Sequence, residues 1–177
     1  MKRLFAAASI VFALSACAWA QDGIGKLIAS GTYFDVYAQV NADAYSILGK
    51  LNYNYLVYPE HAANKNEDAN ATLSKTLDSL YQEVSDILDI HIYSFKGVIQ
   101  VMPDRQSLME YFMATFNISF DERSIYYFEK NTIFISLADM TVGMLGHEMA
   151  HAIISHFFVV PPPTKVQEVL SGYVEYS

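Results

Sequence analysis

The chain has 177 residues, 53% hydrophobic and 17% charged, which is enough apolar material for one packed domain and too much for a disordered segment. The balance is acidic, 11 Lys+Arg against 19 Asp+Glu for a net charge of −8. No basic block stands out, which argues against nucleic acid as a partner.

Residues 1–20 read as a secretory signal. "MKR" is a positive n-region, residues 4–14 are apolar but too short to span a bilayer comfortably, and "AWA" before Gln21 has the small-x-small form of a cleavage site. "LSAC", residues 14–17, also resembles a bacterial lipobox. In that case the signal is 1–16, and Cys17 becomes a lipidated N-terminus; otherwise Cys17 is simply a small residue of the c-region. Either way the chain is expected to cross the bacterial inner membrane and to be periplasmic, secreted or lipid-anchored. Cys17 is the only cysteine, so residues 21–177, read as a single domain, are expected to fold without a disulfide. No later stretch is a candidate membrane span.

In "TYFDVYAQV", 32–40, Phe34, Val36, Ala38 and Val40 alternate with polar or aromatic neighbours, the pattern of a half-buried strand. Residues 42–51 read as a helix, with Asn41 as its cap. "HAANKNEDANA", 61–71, reads as an exposed loop that includes a solvated His61. Leu73, Leu77, Leu80, Val84, Ile87 and Leu88 fall at helical spacing and predict an amphipathic helix over 72–89. His91 follows at a helix-to-strand junction, and 95–102 reads as a strand. Pro103 and Asp104 open a helix with Leu108, Phe112 and Thr115 along one side. "RSIYYF" and "NTIFIS" flank "EKN", 129–131, as in a hairpin. A helix capped by Asp139 runs through Phe158, and "PPP", 161–163, stops it. A last helix begins at Thr164, which has capping-box spacing to Gln167. Its apolar arc of Val166, Val169, Leu170 and Tyr173 is expected to face the core. The order predicts an α+β domain, a small mixed sheet packed on helices.

Within the oily stretch "MLGHEMAHAIISHFF", 144–158, stand His147, Glu148 and His151. Burying such groups without partners costs about 1–3 kcal/mol each. The histidines are one helical turn apart on one face, so both imidazoles can reach one metal ion. Glu148 lies about 100° round the helix, beside that ion rather than on it, where it can take a proton from water. This is the HExxH pattern of zinc hydrolases, in which each position has a mechanical reason. Gly143 and Gly146 offer room for another element to approach.

"NTIFISLADMTVGMLGHEMAH", 131–151, resembles the strand-then-helix entry to the active site of zincin metallopeptidases. With "VQEVLSGYVEY", 166–176, it resembles the gluzincins, the thermolysin-like clan. Upstream, the likeness rests on element order alone. The resemblance implies a zincin-like peptidase that binds extended peptide or protein substrates along an edge strand, either Ile125–Phe128 or Ile133–Ser136. It also implies Zn2+ held by His147, His151 and a glutamate of the next helix, with Glu148 as general base. Glu168, in the early turns of that helix, is the expected third ligand; Glu175 is the fallback. Gly172, on the Glu168 face, is expected to allow close helix contact. A metzincin pattern would need glycine at 154 and histidine at 157, where this chain has Ile154 and Phe157. His156 is off that register and is expected to be a non-ligand near the helix end. Tyr173 and Tyr176 are near the site in sequence, but Tyr173 is assigned to the core and not to catalysis. Thermolysin continues with a large helical domain where this chain stops, at Ser177. A minimal peptidase, a fragment and a degenerate relative are therefore all open. The alternative to an enzyme is a non-catalytic zinc-binding envelope protein, a chaperone-like or assembly factor that keeps the fold.

Overall fold

A computed structural model describes residues 25–39, 42–51 and 68–177. The expected signal sequence with Cys17, the Asn41 cap and His61 lie outside the described residues. The described residues form an α+β arrangement of a five-stranded mixed sheet and five α-helices. In chain order these are β1 (Lys26–Ser30), β2 (Phe34–Ala38), α1 (Ala44–Leu51), α2 (Ala69–Leu88), β3 (Gly97–Met102), α3 (Arg105–Phe116), β4 (Ser124–Tyr127), β5 (Thr132–Ser136), α4 (Val142–Phe157) and α5 (Thr164–Glu175). Among the described residues no helix is long and apolar enough to cross a membrane.

The sheet order is β1-β2-β3-β5-β4, with β2, β3 and β5 parallel and the two outer strands antiparallel to their neighbours. Alternation along the strands sends Phe34, Val36, Ile99, Val101, Ile133 and Ile135 to one face, where they meet α2 and α4. Met102 and Phe134 point to the other face and pack with Leu108 and Phe112 of α3. With helices on both sides, every residue of β3 and β5 is buried, as expected for covered parallel strands.

Several expectations change in detail. β1 has no counterpart in the sequence reading. It pairs with β2 through a register shift between Leu27 and Ala29, and this irregularity erases the alternation that would mark it. Asp68 caps α2 by accepting from Asn70 N–H at 3.3 Å, so residues 69–71 of the expected loop are helical and Ala69 is buried. Asp43, whose carboxylate accepts from Ser46 N–H at 2.8 Å, fills the cap position at the start of α1. Asp104 caps α3 as expected, but Thr115 is exposed and Phe116 packs against the core instead. Thr141, not Asp139, caps α4 through Met144 N–H, because Asp139 instead accepts from Ser136 Oγ at 2.7 Å. Thr164 is not a cap either: Pro163 takes that position without a side-chain bond, and Gln167 turns elsewhere.

The largest correction concerns α5. Its apolar arc faces water: Val166, Val169 and Tyr173 are 46%, 67% and 65% exposed, while Ser171 and Val174 are buried against the body of the protein. On the inner face Gln167, Glu168 and Glu175 meet α4 beside Val174, so the apolar arc is not the side that packs. Substitution at this arc should therefore be nearly neutral. Val169→Ser is expected to change stability by less than about 0.5 kcal/mol, whereas Leu145→Ala, at a fully buried position of α4, should cost about 2–5 kcal/mol. Urea unfolding of the two variants measures both; a loss above about 1 kcal/mol in Val169→Ser would place the arc in the core after all.

Candidate metal centre

α4 follows β5 directly and runs with its apolar residues, Leu145, Met149, Ala152 and Ile153, buried in the core. That anchoring fixes the opposite face, on which His147 and His151 stand one turn apart with Nε2 atoms 3.2 Å from each other. α5 returns across them. Glu168 reaches in with Oε2 3.5 Å from His147 Nε2 and Oε1 3.5 Å from His151 Nε2. Ligand atoms of His147, His151 and Glu168 all lie within 4.8 Å of one another, a group that could hold a metal ion.

The other ring nitrogens decide whether the donors fit such an ion. His147 Nδ1 lies 3.1 Å from Glu175 Oε2, and a carboxylate can only accept, so Nδ1 carries the hydrogen. His151 Nδ1 lies 3.4 Å from Gln167 Oε1, and the Gln167 amide is oriented by its Nε2 donating to the Pro162 carbonyl at 2.8 Å. With both hydrogens on Nδ1, both Nε2 atoms present lone pairs to the same point as the Glu168 carboxylate. Three acceptors converge without a donor among them, which is the chemistry of a cation site, with the outer partners setting the tautomers. Burial also lowers the His151 pKa, against the opposing pull of the Glu168 charge, and so favours the neutral, ligating form.

Glu175, the fallback ligand, therefore stands behind His147 rather than beside the three-donor group. Its position depends on Gly143: a Cβ there would lie 2.8 Å from the Glu175 carbonyl oxygen. Gly172 has no such role, since a Cβ added at that position meets nothing within 4 Å. Gln167 escaped the sequence reading because its spacing to Thr164 suggested a cap; the signal that was there is its place one residue before Glu168, on the same inward face.

Glu148 is buried, and both of its oxygens are occupied. Ser124 Oγ donates to Oε1 at 2.7 Å, and the Tyr126 N–H donates to Oε2 at 2.6 Å. Burial pushes the Glu148 pKa up; the Ser124 bond, the His147 charge and the Tyr126 N–H oppose this in part. The two donors belong to β4, the outer strand of the sheet on this side. β5 lies between β3 and β4, so among the described residues only β4, of the two strands that could take an extended ligand, has a free edge.

The remaining candidates lie apart from the three-donor group. His156 Nδ1 is 2.9 Å from the Ala152 carbonyl and 3.3 Å from the Tyr126 hydroxyl, and its ring packs edge-on against Phe95. His91 pairs with Asp86 at 2.8 Å in the loop after α2. Tyr173 and Tyr176 are exposed and do not line the cleft, while the Tyr126 hydroxyl is held by Asn131. The metal group and Glu148 open into a cleft of about 770 Å³, walled by β4, α4 and α5. Comparison with protein-family models, with curated proteins and with solved structures found no match.

Proposed function

We propose that the protein is a zinc-dependent peptidase of zincin-like fold, with Zn2+ held by His147, His151 and Glu168 and with Glu148 as general base. The observation that carries this reading is the convergence of two oriented imidazoles and one carboxylate beside a second, buried carboxylate that is not part of the set. Donors of nitrogen and oxygen type, with no cysteine, suit zinc. Bound there, zinc would act as a Lewis acid that makes water a nucleophile near neutral pH and polarises a carbonyl. Glu148 takes the proton of the attacking water at a carboxylate oxygen and returns it to the leaving amine. Its burial strengthens it as a base, because the charged form is poorly solvated. Glu175 and Gln167 hold the imidazoles still, and the β4 edge offers main-chain groups to an extended peptide. The reading includes export by a 1–20 signal, with residence in the periplasm or outside the cell, or by a 1–16 signal, with residence at a membrane through a lipidated Cys17.

One observation favours the alternative of a non-catalytic zinc protein. Glu148 is held at both oxygens by β4, as a strut between strand and helix would be. The purified chain decides between them. About one zinc per chain is expected, lost in His147→Ala and His151→Ala, together with hydrolysis of quenched peptides that a chelator stops. Zinc binding without any hydrolysis favours the non-catalytic protein, and a chain that takes up no metal after zinc supplementation removes both readings.

A further inference from the structure

The contact between β4 and Glu148 assigns different tasks to its two donors. Ser136 N–H donates to the Arg123 carbonyl, and the pairing continues through Ile125 with Phe134 and Tyr127 with Thr132. In an antiparallel pair the residues between these turn their N–H and C=O away from the neighbouring strand. Ser124 and Tyr126 therefore provide the free main-chain groups of the edge, and one of them, the Tyr126 N–H, is already given to Glu148 Oε2. An extended peptide that adds to β4 and the buried base thus compete for the same donor.

We propose that the Tyr126 N–H is a latch on Glu148 that a substrate carbonyl takes over on binding. Ser124 is a positioning residue that keeps Oε1 in place while Oε2 is freed to receive the proton. The base is then released only when the edge is paired, so hydrolysis is coupled to the binding of an extended chain. The inference rests on the peptidase reading in two respects, that the occupant of the edge is a peptide and that Glu148 is the base. Nothing moves in it except one hydrogen bond: the N–H exchanges a carboxylate acceptor for a carbonyl, and the carboxylate exchanges that donor for water in the cleft.

The test uses binding and amide exchange, neither of which needs turnover. In the metal-loaded wild-type protein the Tyr126 amide should exchange slowly. In Glu148→Ala it should exchange at least about tenfold faster, and a fluorescein-labelled insulin B chain should bind several-fold to about tenfold more tightly, since its carbonyl no longer competes with a carboxylate. Adding that peptide to Glu148→Ala should slow the amide again. In the wild-type protein, which needs no folding control, the same peptide should shift the Glu148 carboxyl carbon resonance. Ser124→Ala should lower kcat about tenfold with KM unchanged, and Ser124→Thr should restore it, a split that a general loss of structure would not give. A Tyr126 amide that stays slow without Glu148, or equal peptide affinity in both proteins while zinc-dependent hydrolysis persists, overturns the latch alone. Peptide binding to neither protein overturns the latch and the peptidase reading together. A gain in affinity without any hydrolysis keeps the competition for the Tyr126 N–H but overturns its catalytic role together with the peptidase reading.

Discussion

Glu148→Gln is expected to lower peptide hydrolysis by about 10²–10⁴-fold while zinc content stays at the wild-type level. The amide matches the carboxylate in shape and can remain between its two partners. Oε1 can still accept from the Tyr126 N–H, and Nε2 can donate to Ser124 Oγ, which rotates to receive it. What the amide cannot do is take a proton from water. Because the geometry survives, loss of activity in this variant reports the base and not the fold. A Glu148→Gln protein that cleaves as fast as wild type would remove Glu148 from the chemistry.

The same substitution carries a pH signature in the metal-free protein. Burial holds the Glu148 pKa above its ordinary 4.5, so the folded chain binds this proton more tightly than the unfolded chain. Stability then falls as pH rises from about 4.5 through the raised value, because the unfolded state loses its proton first and at no cost. Glu148→Gln lacks this slope. His151 works the other way: its lowered pKa makes stability rise with pH through the ordinary 6.5, but that contribution is common to both proteins and cancels in their difference. Thermal melts of the two metal-free proteins across this range should therefore diverge towards neutral pH, with the variant the more stable.

How much of this was legible in the sequence differs between α4 and α5. α4 was readable because two periodicities agree there: apolar residues recur at helical spacing, and His147 and His151 fall on one face of the same helix. The β4–β5 hairpin was readable because strand-forming runs flank Lys130 and Asn131, and Asn131 takes the left-handed backbone that the turn requires. α5 shows where such reading fails. Its hydrophobic arc is ordinary core material by composition, yet Gln167, Glu168, Ser171 and Glu175 claim the inward face, because α4 turns polar side chains towards it. A site overrode the apolar pattern, and sequence periodicity weighs only the apolar residues. The partners of Glu148 were not legible for a different reason. Ser124 and the Tyr126 main chain are distant in sequence, and only the antiparallel pairing of β4 brings them over α4.

The assignment of the two glutamates of α5 rests on separate nitrogens of one imidazole, and it predicts two sizes of effect. Glu168 lies 3.5 Å from the Nε2 atoms of both histidines, so Glu168→Ala removes one of three donors. Its side chain is 53% exposed, so the fold should lose little, within about 0.5 kcal/mol. Of the imidazole nitrogens, the Glu175 carboxylate pairs with Nδ1 of His147, so Glu175→Ala leaves all three donors and removes the group that fixes a tautomer and a ring orientation. Losses of that kind are about 10–100-fold in metal affinity, and Glu175→Gln, which can still accept from Nδ1, should recover part of it. The loss in Glu168→Ala should exceed that range. Competition with a chelating dye at fixed pH measures all three variants on one scale. The order expected is wild type, then Glu175→Gln, then Glu175→Ala, then Glu168→Ala with the weakest zinc. Unchanged affinity in Glu168→Ala beside a large loss in Glu175→Ala would exchange the roles of the two glutamates and place the ion on the Nδ1 side of His147, out of reach of His151 Nε2.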